Sequence, residues 1–251
     1  MKTNLNINIW GDNVSKLNKK IVFGIISLTL LVVSIIEIKI SSEEVIQLMP
    51  ITGKTIILDA GHGGIDPGSM TDDQSIKEKD VNLKITEKVK ELLEASGATI
   101  ILTRNDDTSL YVEEVGKTTR QKYNENLKNR KKIIKESSAD MFVSIHLNKF
   151  PQSSKYYGAQ TFYPYGKEDD KKLATCIQSE LKRVVDNTNN REIKPSNDIY
   201  LIKDNEIPST LIECGFLSNE KEAKLLNDEA YQEQIAWAIY VGIQRYFSDN
   251  T

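Results

Sequence analysis

Cysteine and histidine are scarce in this chain of 251 residues, which holds two of each. Cys176 and Cys214 are too few for a disulfide framework and too far apart for a Cys-x-x-Cys pair, so buried free thiols are expected rather than a stapled scaffold or a zinc ribbon. An excess of positive charge is missing as well. Lys and Arg number 33 against 36 Asp and Glu, the formal net charge is −3, and the basic residues are scattered. Nucleic-acid binding, which needs banked cations to displace counterions, is not expected on that composition. No period of 20 to 50 residues, no low-complexity tract and no second binding module interrupts the chain. Long apolar runs are absent too, with one exception near the N-terminus.

That run occupies residues 21–36, follows Lys16, Lys19 and Lys20, and is closed by Glu37 and Lys39. As a helix it would reach roughly 24 Å at ~1.5 Å per residue, a little short of the ~30 Å hydrocarbon core, a gap that snorkelling lysines cover. Lysines before the run and Glu37, Glu43 and Glu44 after it orient the N-terminus inward, and no small-x-small cleavage site follows. The expected organisation is a cytoplasmic polar tail at 1–20, an uncleaved signal anchor at 21–40 holding the protein to the membrane, a linker at 41–53, and one domain at 54–248 outside the cytoplasm.

Through that domain, strand and helix signals alternate. Residues 55–58 form a short β-branched apolar run, residues 81–93 carry helical spacing (Val81, Ile85, Val89, Leu92, Leu93), and residues 99–102 return to strand character after a break at Gly97. Further helices are expected at 126–137, 171–185 and 231–247, and further strands at 140–145, 159–163, 199–202 and 210–212. Repeated βαβ units predict a single α/β domain with a mixed, mostly parallel sheet covered by helices.

Both histidines stand where an apolar strand-like run ends: His62 within Leu58-Asp59-Ala60-Gly61-His62-Gly63-Gly64, and His146 within Val143-Ser144-Ile145-His146-Leu147-Asn148. Imidazole is the commonest zinc ligand, and strand ends in α/β folds present side chains to a crevice. Asp66, Glu78 and Asp80 follow the glycine-rich loop, and any one of them would complete a two-His, one-carboxylate set; spacing does not choose among them. A second acidic signal lies in Thr210-Leu211-Ile212-Glu213-Cys214-Gly215-Phe216, where a carboxylate ends an apolar strand. Burying that charge is costly unless it is paired, bound to metal or used as an acid-base group.

These segments, with Glu78-Lys79-Asp80, Thr103-Arg104-Asn105-Asp106-Asp107 and Leu217-Ser218-Asn219, resemble the zinc-dependent N-acetylmuramoyl-L-alanine amidases over about residues 54–247, and among them the short germination-specific spore cortex amidases of the CwlD type. The resemblance implies that His62, Glu78 and His146 hold Zn2+ and that Glu213 is the catalytic acid-base residue. It also implies a peptidoglycan substrate, cut between N-acetylmuramic acid and L-alanine, in the service of muramic-δ-lactam formation in the spore cortex. Location in the forespore intermembrane or cortex space goes with that role, and a requirement for an activating protein stays open. Asp59 is expected to orient the first histidine loop or to satisfy backbone donors, Arg104, Arg130 and Arg191 to be structural or to meet substrate carboxylates, and Asn148 to bond substrate or the loop. Three other readings compete: a thiol hydrolase built on Cys214, a non-catalytic peptidoglycan-binding protein, and a vegetative autolysin or division amidase.

Overall fold

The β-branched run Thr55–Ala60 becomes strand β1, and all of it beyond Thr55 is buried, as a strand covered on both faces requires. In the computed structural model, which describes residues 21, 23–36 and 49–249, β1 lies parallel to β2 (Thr99–Leu102) on one side and to β3 (Met141–Asn148) on the other. β3 pairs in parallel with β6 (Ser209–Phe216). The short strand β4 (Gln160–Tyr163) runs antiparallel to β6, and β5 (Lys194–Pro195) closes the edge, so the order is β2-β1-β3-β6-β4-β5. The expected mixed, mostly parallel sheet is therefore present.

Alternation along each strand splits the apolar side chains between two faces. Ile56 and Leu58 of β1, Met141, Val143 and Ile145 of β3 and Ile212 of β6 face the larger core. Val81, Ile85 and Val89 of helix α1 (Glu78–Ala95), Ile177 of α3 (Glu168–Val184) and Ile239 of α5 (Glu229–Ser248) complete it. Each such side chain stabilises the fold by about 1.5–3 kcal/mol on burial. Ile57, Phe142 and Leu211 point the other way and meet Ile134 of α2 (Thr119–Glu136) together with Leu201 and Ile202. Between α3 and α5 the short helix α4 (Glu220–Leu226) begins at Asn219, whose side chain accepts the Glu222 N–H.

The connections locate the crevice. From β1 the chain crosses through α1 to β2, then returns through α2 to β3 on the opposite side of β1, with the two helices on opposite faces of the sheet. Such a reversal opens a gap beyond the carboxyl ends of the two diverging strands, which is where open α/β sheets bind ligands.

The strand expected at 199–202 is a turn instead. Leu201 and Ile202 are buried as an apolar run should be, but the backbone oxygens find a different partner: Lys131 Nζ donates to the carbonyls of Tyr200 (3.5 Å), Leu201 (3.3 Å) and Lys203 and to the Asn205 side chain. An ammonium from α2 replaces the neighbouring strand. The N-terminal segment is a separate unit; residues 23–36 are helical, while the tail at 1–20 and residues 37–48 lie outside the described residues. Among the described residues no helix is long and apolar enough to cross a membrane.

Candidate metal and acid-base site

β1 runs out at Ala60, and the next four residues form a loop in which His62 takes a left-handed backbone (φ 64°). That conformation costs a non-glycine residue roughly 1–2 kcal/mol, so it has to be imposed by its surroundings. The imposition is visible in the carbonyls of residues 60–64, each of which receives a side-chain donor. Ala60 O accepts from Arg104 Nε (2.9 Å) and Arg130 Nη1 (2.7 Å), Gly61 O from Arg104 Nη2 (3.0 Å), and His62 O from Arg130 Nη2. Gly63 O accepts from the Ser109 hydroxyl and Gly64 O from Lys79 Nζ at 2.9 Å. Asp107 completes the clamp by accepting from Lys79 Nζ (2.6 Å) and from the Gly64 N–H (2.8 Å).

Arg130 is itself anchored by Asp59, 2.6 Å away, and both side chains are buried. Asp59 further accepts from the hydroxyls of Thr103 and Ser144, each at 2.6 Å. Burial pushes against its charge, yet Arg130 and these donors outweigh burial and hold the carboxyl down at about 2. Arg104 and Arg130 are thus structural, one of the two roles expected for them, and Asp59 orients the histidine loop through Arg130 rather than by satisfying backbone donors.

With the loop fixed, His62 Nε2 lies 3.1 Å from Glu78 Oε1, and His146 Nδ1 lies 3.0 Å from the same oxygen. The imidazoles meet edge to face with centroids 4.9 Å apart, and one donor atom from each of the three residues falls within 4.8 Å of the others. Glu78 is the first residue of α1, where a carboxylate suits the helix dipole. It is fixed from both sides: Oε2 accepts the Ser69 N–H (2.7 Å) and Oε1 the Leu147 N–H (3.0 Å). Burial opposes its ionisation, but His146 and His62 hold the carboxyl well below the usual range.

The choice among three carboxylates, which spacing leaves open and the family resemblance assigns to Glu78, is a matter of position. Glu78 joins both histidines. Asp66 stands behind His62, its Oδ2 2.8 Å from Nδ1, and Asp80 is exposed on α1. Glycine is required where the walls close in: a Cβ on Gly61 would lie 2.3 Å from the His146 ring, and one on Gly68 2.7 Å from both Glu78 Oε2 and His62 Cδ2. Two imidazole nitrogens and one carboxylate oxygen are a borderline donor set suited to zinc rather than to calcium or magnesium, which prefer oxygen ligands.

Glu213 on β6 is in register with His146 on β3, so the two side chains share a face of the sheet. A register shift follows between His146 and Asn148, an irregularity of the kind that re-aims side chains beside active sites. Glu213 Oε2 is buried and has no hydrogen-bond partner among the described residues. Burial pushes this carboxyl up to about 7, against the pull of His146. Cys214, the next residue, projects into the opposite core; burial and Glu213 push its thiol well above the ordinary range, which removes the thiolate that a cysteine nucleophile requires. The Asn148 carbonyl, at the end of β3, accepts the Leu217 N–H just past β6 at 2.8 Å, so its backbone ties the ends of the two neighbouring strands together. A cavity of about 160 Å³ adjoins the two histidines, walled by Tyr123, Asn126 and Leu127 of α2 and by Leu201. The α2 wall and the Lys79 and Ser109 clamps were not legible in the sequence, since nothing local marks a helix face or a lysine for that task.

Comparison with known proteins gives a consistent set of relatives. Residues 56–245 match the family model for N-acetylmuramoyl-L-alanine amidase. The chain is 45% identical over 202 residues to the germination-specific N-acetylmuramoyl-L-alanine amidase of Bacillus subtilis, covering 80% of this chain and 83% of that protein. It also resembles the solved structure of the CwlD amidase from Clostridioides difficile in complex with the GerS lipoprotein, with 72% identity and a TM-score of 0.77 over 78% of this chain and 100% of that one. An N-acetylmuramoyl-L-alanine amidase from Clostridium difficile 630 aligns with 32% identity and a TM-score of 0.69, covering 80% of this chain and 100% of that one.

Proposed function

The chain belongs to the N-acetylmuramoyl-L-alanine amidase family, and from that membership we infer how its own residues open the amide between N-acetylmuramic acid and the L-alanine of the peptidoglycan stem peptide. The observation that carries the reading is a buried carboxylate oxygen, Glu213 Oε2, without a hydrogen-bond partner among the described residues, on the strand beside a His62, Glu78 and His146 cluster. Those three residues would hold zinc. Bound there, zinc would supply the electrophile that polarises the scissile carbonyl and acidifies the attacking water. Glu213 Oε2 takes the proton from that water and returns it to the departing alanine nitrogen, for which a carboxyl poised near neutrality is suited.

Asp66 serves the cluster indirectly. Its contact to His62 Nδ1 fixes the ring with Nε2 toward Glu78, while His146 offers Nδ1. Asp66→Asn is expected to weaken zinc binding by about 10–100-fold, read by competition with a chelator independently of turnover. Unchanged affinity would remove Asp66 from this role.

The germination-specific relative and the CwlD structure support a role in spore germination; that removal of stem peptides prepares muramic acid for δ-lactam formation is our proposal for that role. Because that CwlD amidase was solved with a lipoprotein, a lipoprotein partner is proposed for this chain as well. We keep the tail at 1–20, the anchor at 21–40, the linker at 41–53 and the catalytic domain at 54–248 as the proposed layout, with the catalytic domain outside the cytoplasm. In the N-terminal helix the hydroxyls of Thr29 and Ser34 donate to Ile26 O (2.8 Å) and Leu30 O (2.9 Å), which spares a lipid-facing helix two unsatisfied polar groups.

The test is digestion of purified, glycan-intact peptidoglycan by the zinc-loaded chain with its lipoprotein partner, followed by mass spectrometry. Free stem peptides beginning with L-alanine are expected; their absence would leave only a peptidoglycan-binding protein. Spores of a deletion strain should lack the lactam, and normal lactam content would refute the cortex role while leaving the amidase chemistry intact.

A further inference from the structure

Beyond the metal and acid-base cluster, the loop that leaves β3 carries Lys155, Tyr156 and Tyr157, and with Asn189, Asn190 and Arg191 it lines a second, open cavity of about 320 Å³. Arg191 is held as a rigid wall. Its guanidinium lies 4.4 Å from the centroid of the Phe216 ring and 5.8 Å from that of Tyr156, Nε donates to Tyr157 O (2.8 Å), and Nη1 donates to Gln160 Oε1 (3.2 Å). Its Nη2 keeps no protein partner among the described residues, and neither Arg191 nor Lys155 forms an ion pair there. The nearby carboxylate of Glu222 is occupied by the N–H groups of Gly158 and Phe216, each at 2.8 Å. Two cations therefore line one cavity with no direct ion pair among the described residues, Arg191 acting on Glu222 only at longer range, and that combination is suited to an anion.

Register sets the distance to the reacting bond. Gln160 on β4 is paired with Glu213 on β6, and Arg191 binds the Gln160 side chain, which puts Arg191 about one strand spacing, ~5 Å, and one side chain beyond the acid-base residue. An extended peptide advances about 3.3–3.6 Å per residue, so a substrate whose scissile amide lies at Glu213 brings its second or third residue to this cavity. Of the two halves of the substrate, the glycan of N-acetylated sugars is largely uncharged and the stem peptide carries free carboxylates. Charge complementarity selects the peptide.

We propose that the cavity lined by Lys155, Tyr156 and Arg191 is the subsite that receives a free carboxylate on the second or third residue of the stem peptide. The assignment rests on the amidase reading and adds to it a selectivity for acidic over amidated stem peptides. Arg191 supplies the oriented fork, Lys155 adds charge from the rim, and Tyr156 flanks the guanidinium.

The experiment compares two muramoyl tripeptides, identical except that the carboxylates of the second and third residues are free in one and carboxamides in the other, with the zinc-loaded full chain and its lipoprotein partner. KM for the free acid is expected to be about tenfold lower, and that ratio should fall toward one in Arg191→Gln and decrease in Lys155→Ala. Lys155 is exposed, so its variant keeps the comparison valid if Arg191→Gln is poorly folded. A ratio near one in the unaltered chain, or a ratio that persists in both variants, overturns the subsite. Cleavage of neither compound would instead count against the amidase reading. Calorimetric titration with the free tripeptide and its carboxamide then decides the subsite without turnover: a preference for the acid that Arg191→Gln abolishes supports it, and equal binding of the two overturns it.

Discussion

Exchanging Glu213 for glutamine is expected to lower kcat on peptidoglycan by about 10²–10⁴-fold while the zinc content per chain stays at the unaltered value. Glutamine preserves the size and most of the shape of the side chain on β6 but can neither accept nor return a proton. Glu213 touches neither the Asp59 and Arg130 clamp nor the Glu78 contacts that join the two histidines, so the cluster should survive the change. His146→Ala is the contrasting case, since it removes one of the three converging donor atoms and should lose metal and turnover together. Elemental analysis beside steady-state kinetics separates the two patterns. A Glu213→Gln chain that turned over at near the unaltered rate would refute the proton-transfer role.

Asp59→Ala is expected to lower the unfolding free energy by about 3–5 kcal/mol, the usual consequence of leaving one member of a buried ion pair uncompensated. Asp59 is fully buried and Arg130 is 1% exposed, so water cannot enter to replace the lost partner. Urea unfolding would show it as a lower midpoint at unchanged slope. Arg130→Met strands the opposite charge and should cost a similar amount, and the double variant should recover part of the loss because neither charge then remains buried alone. Asp59 also sets a pH dependence. Its carboxyl is held at about 2 in the fold against 3.8 ordinarily, so its contribution is present above pH 3.8 and is lost as pH falls through about 2. A loss below 1 kcal/mol in Asp59→Ala would mean that the loop is set by the other donors alone.

The layered fold was legible because the strands that build it are buried on both faces and are therefore written as continuous apolar runs, such as 55–58 and 140–145, while helix α1 announces itself by Val81, Ile85 and Val89 on one side. The same rule misled at 199–202. An apolar run there marks burial, and burial alone does not distinguish a strand from a turn whose carbonyls are satisfied by Lys131. The two-residue strand Lys194–Pro195 and the short helix Glu220–Leu226 are too brief to impose a period and were not anticipated. At the site, the two histidines and Glu213 stood out because imidazole and carboxylate at the ends of apolar strands are chemically conspicuous.

What the sequence by itself determined was the composition of the site and the layers that carry it, since side-chain chemistry and hydrophobic period are local properties of the chain. The resemblance already pointed to Glu78, but only the tertiary structure gave the reason, with Glu78 meeting both imidazoles while Asp66 stands behind His62 and Asp80 is exposed, and only it decided that Arg191 faces a cavity while Arg104 and Arg130 are spent on loop carbonyls. The physical reason is that these roles depend on distances of about 3 Å between residues far apart along the chain, and such distances are set by strand register, by the crossing of α1 and α2 over β1, and by a left-handed loop that many separate donors hold in place.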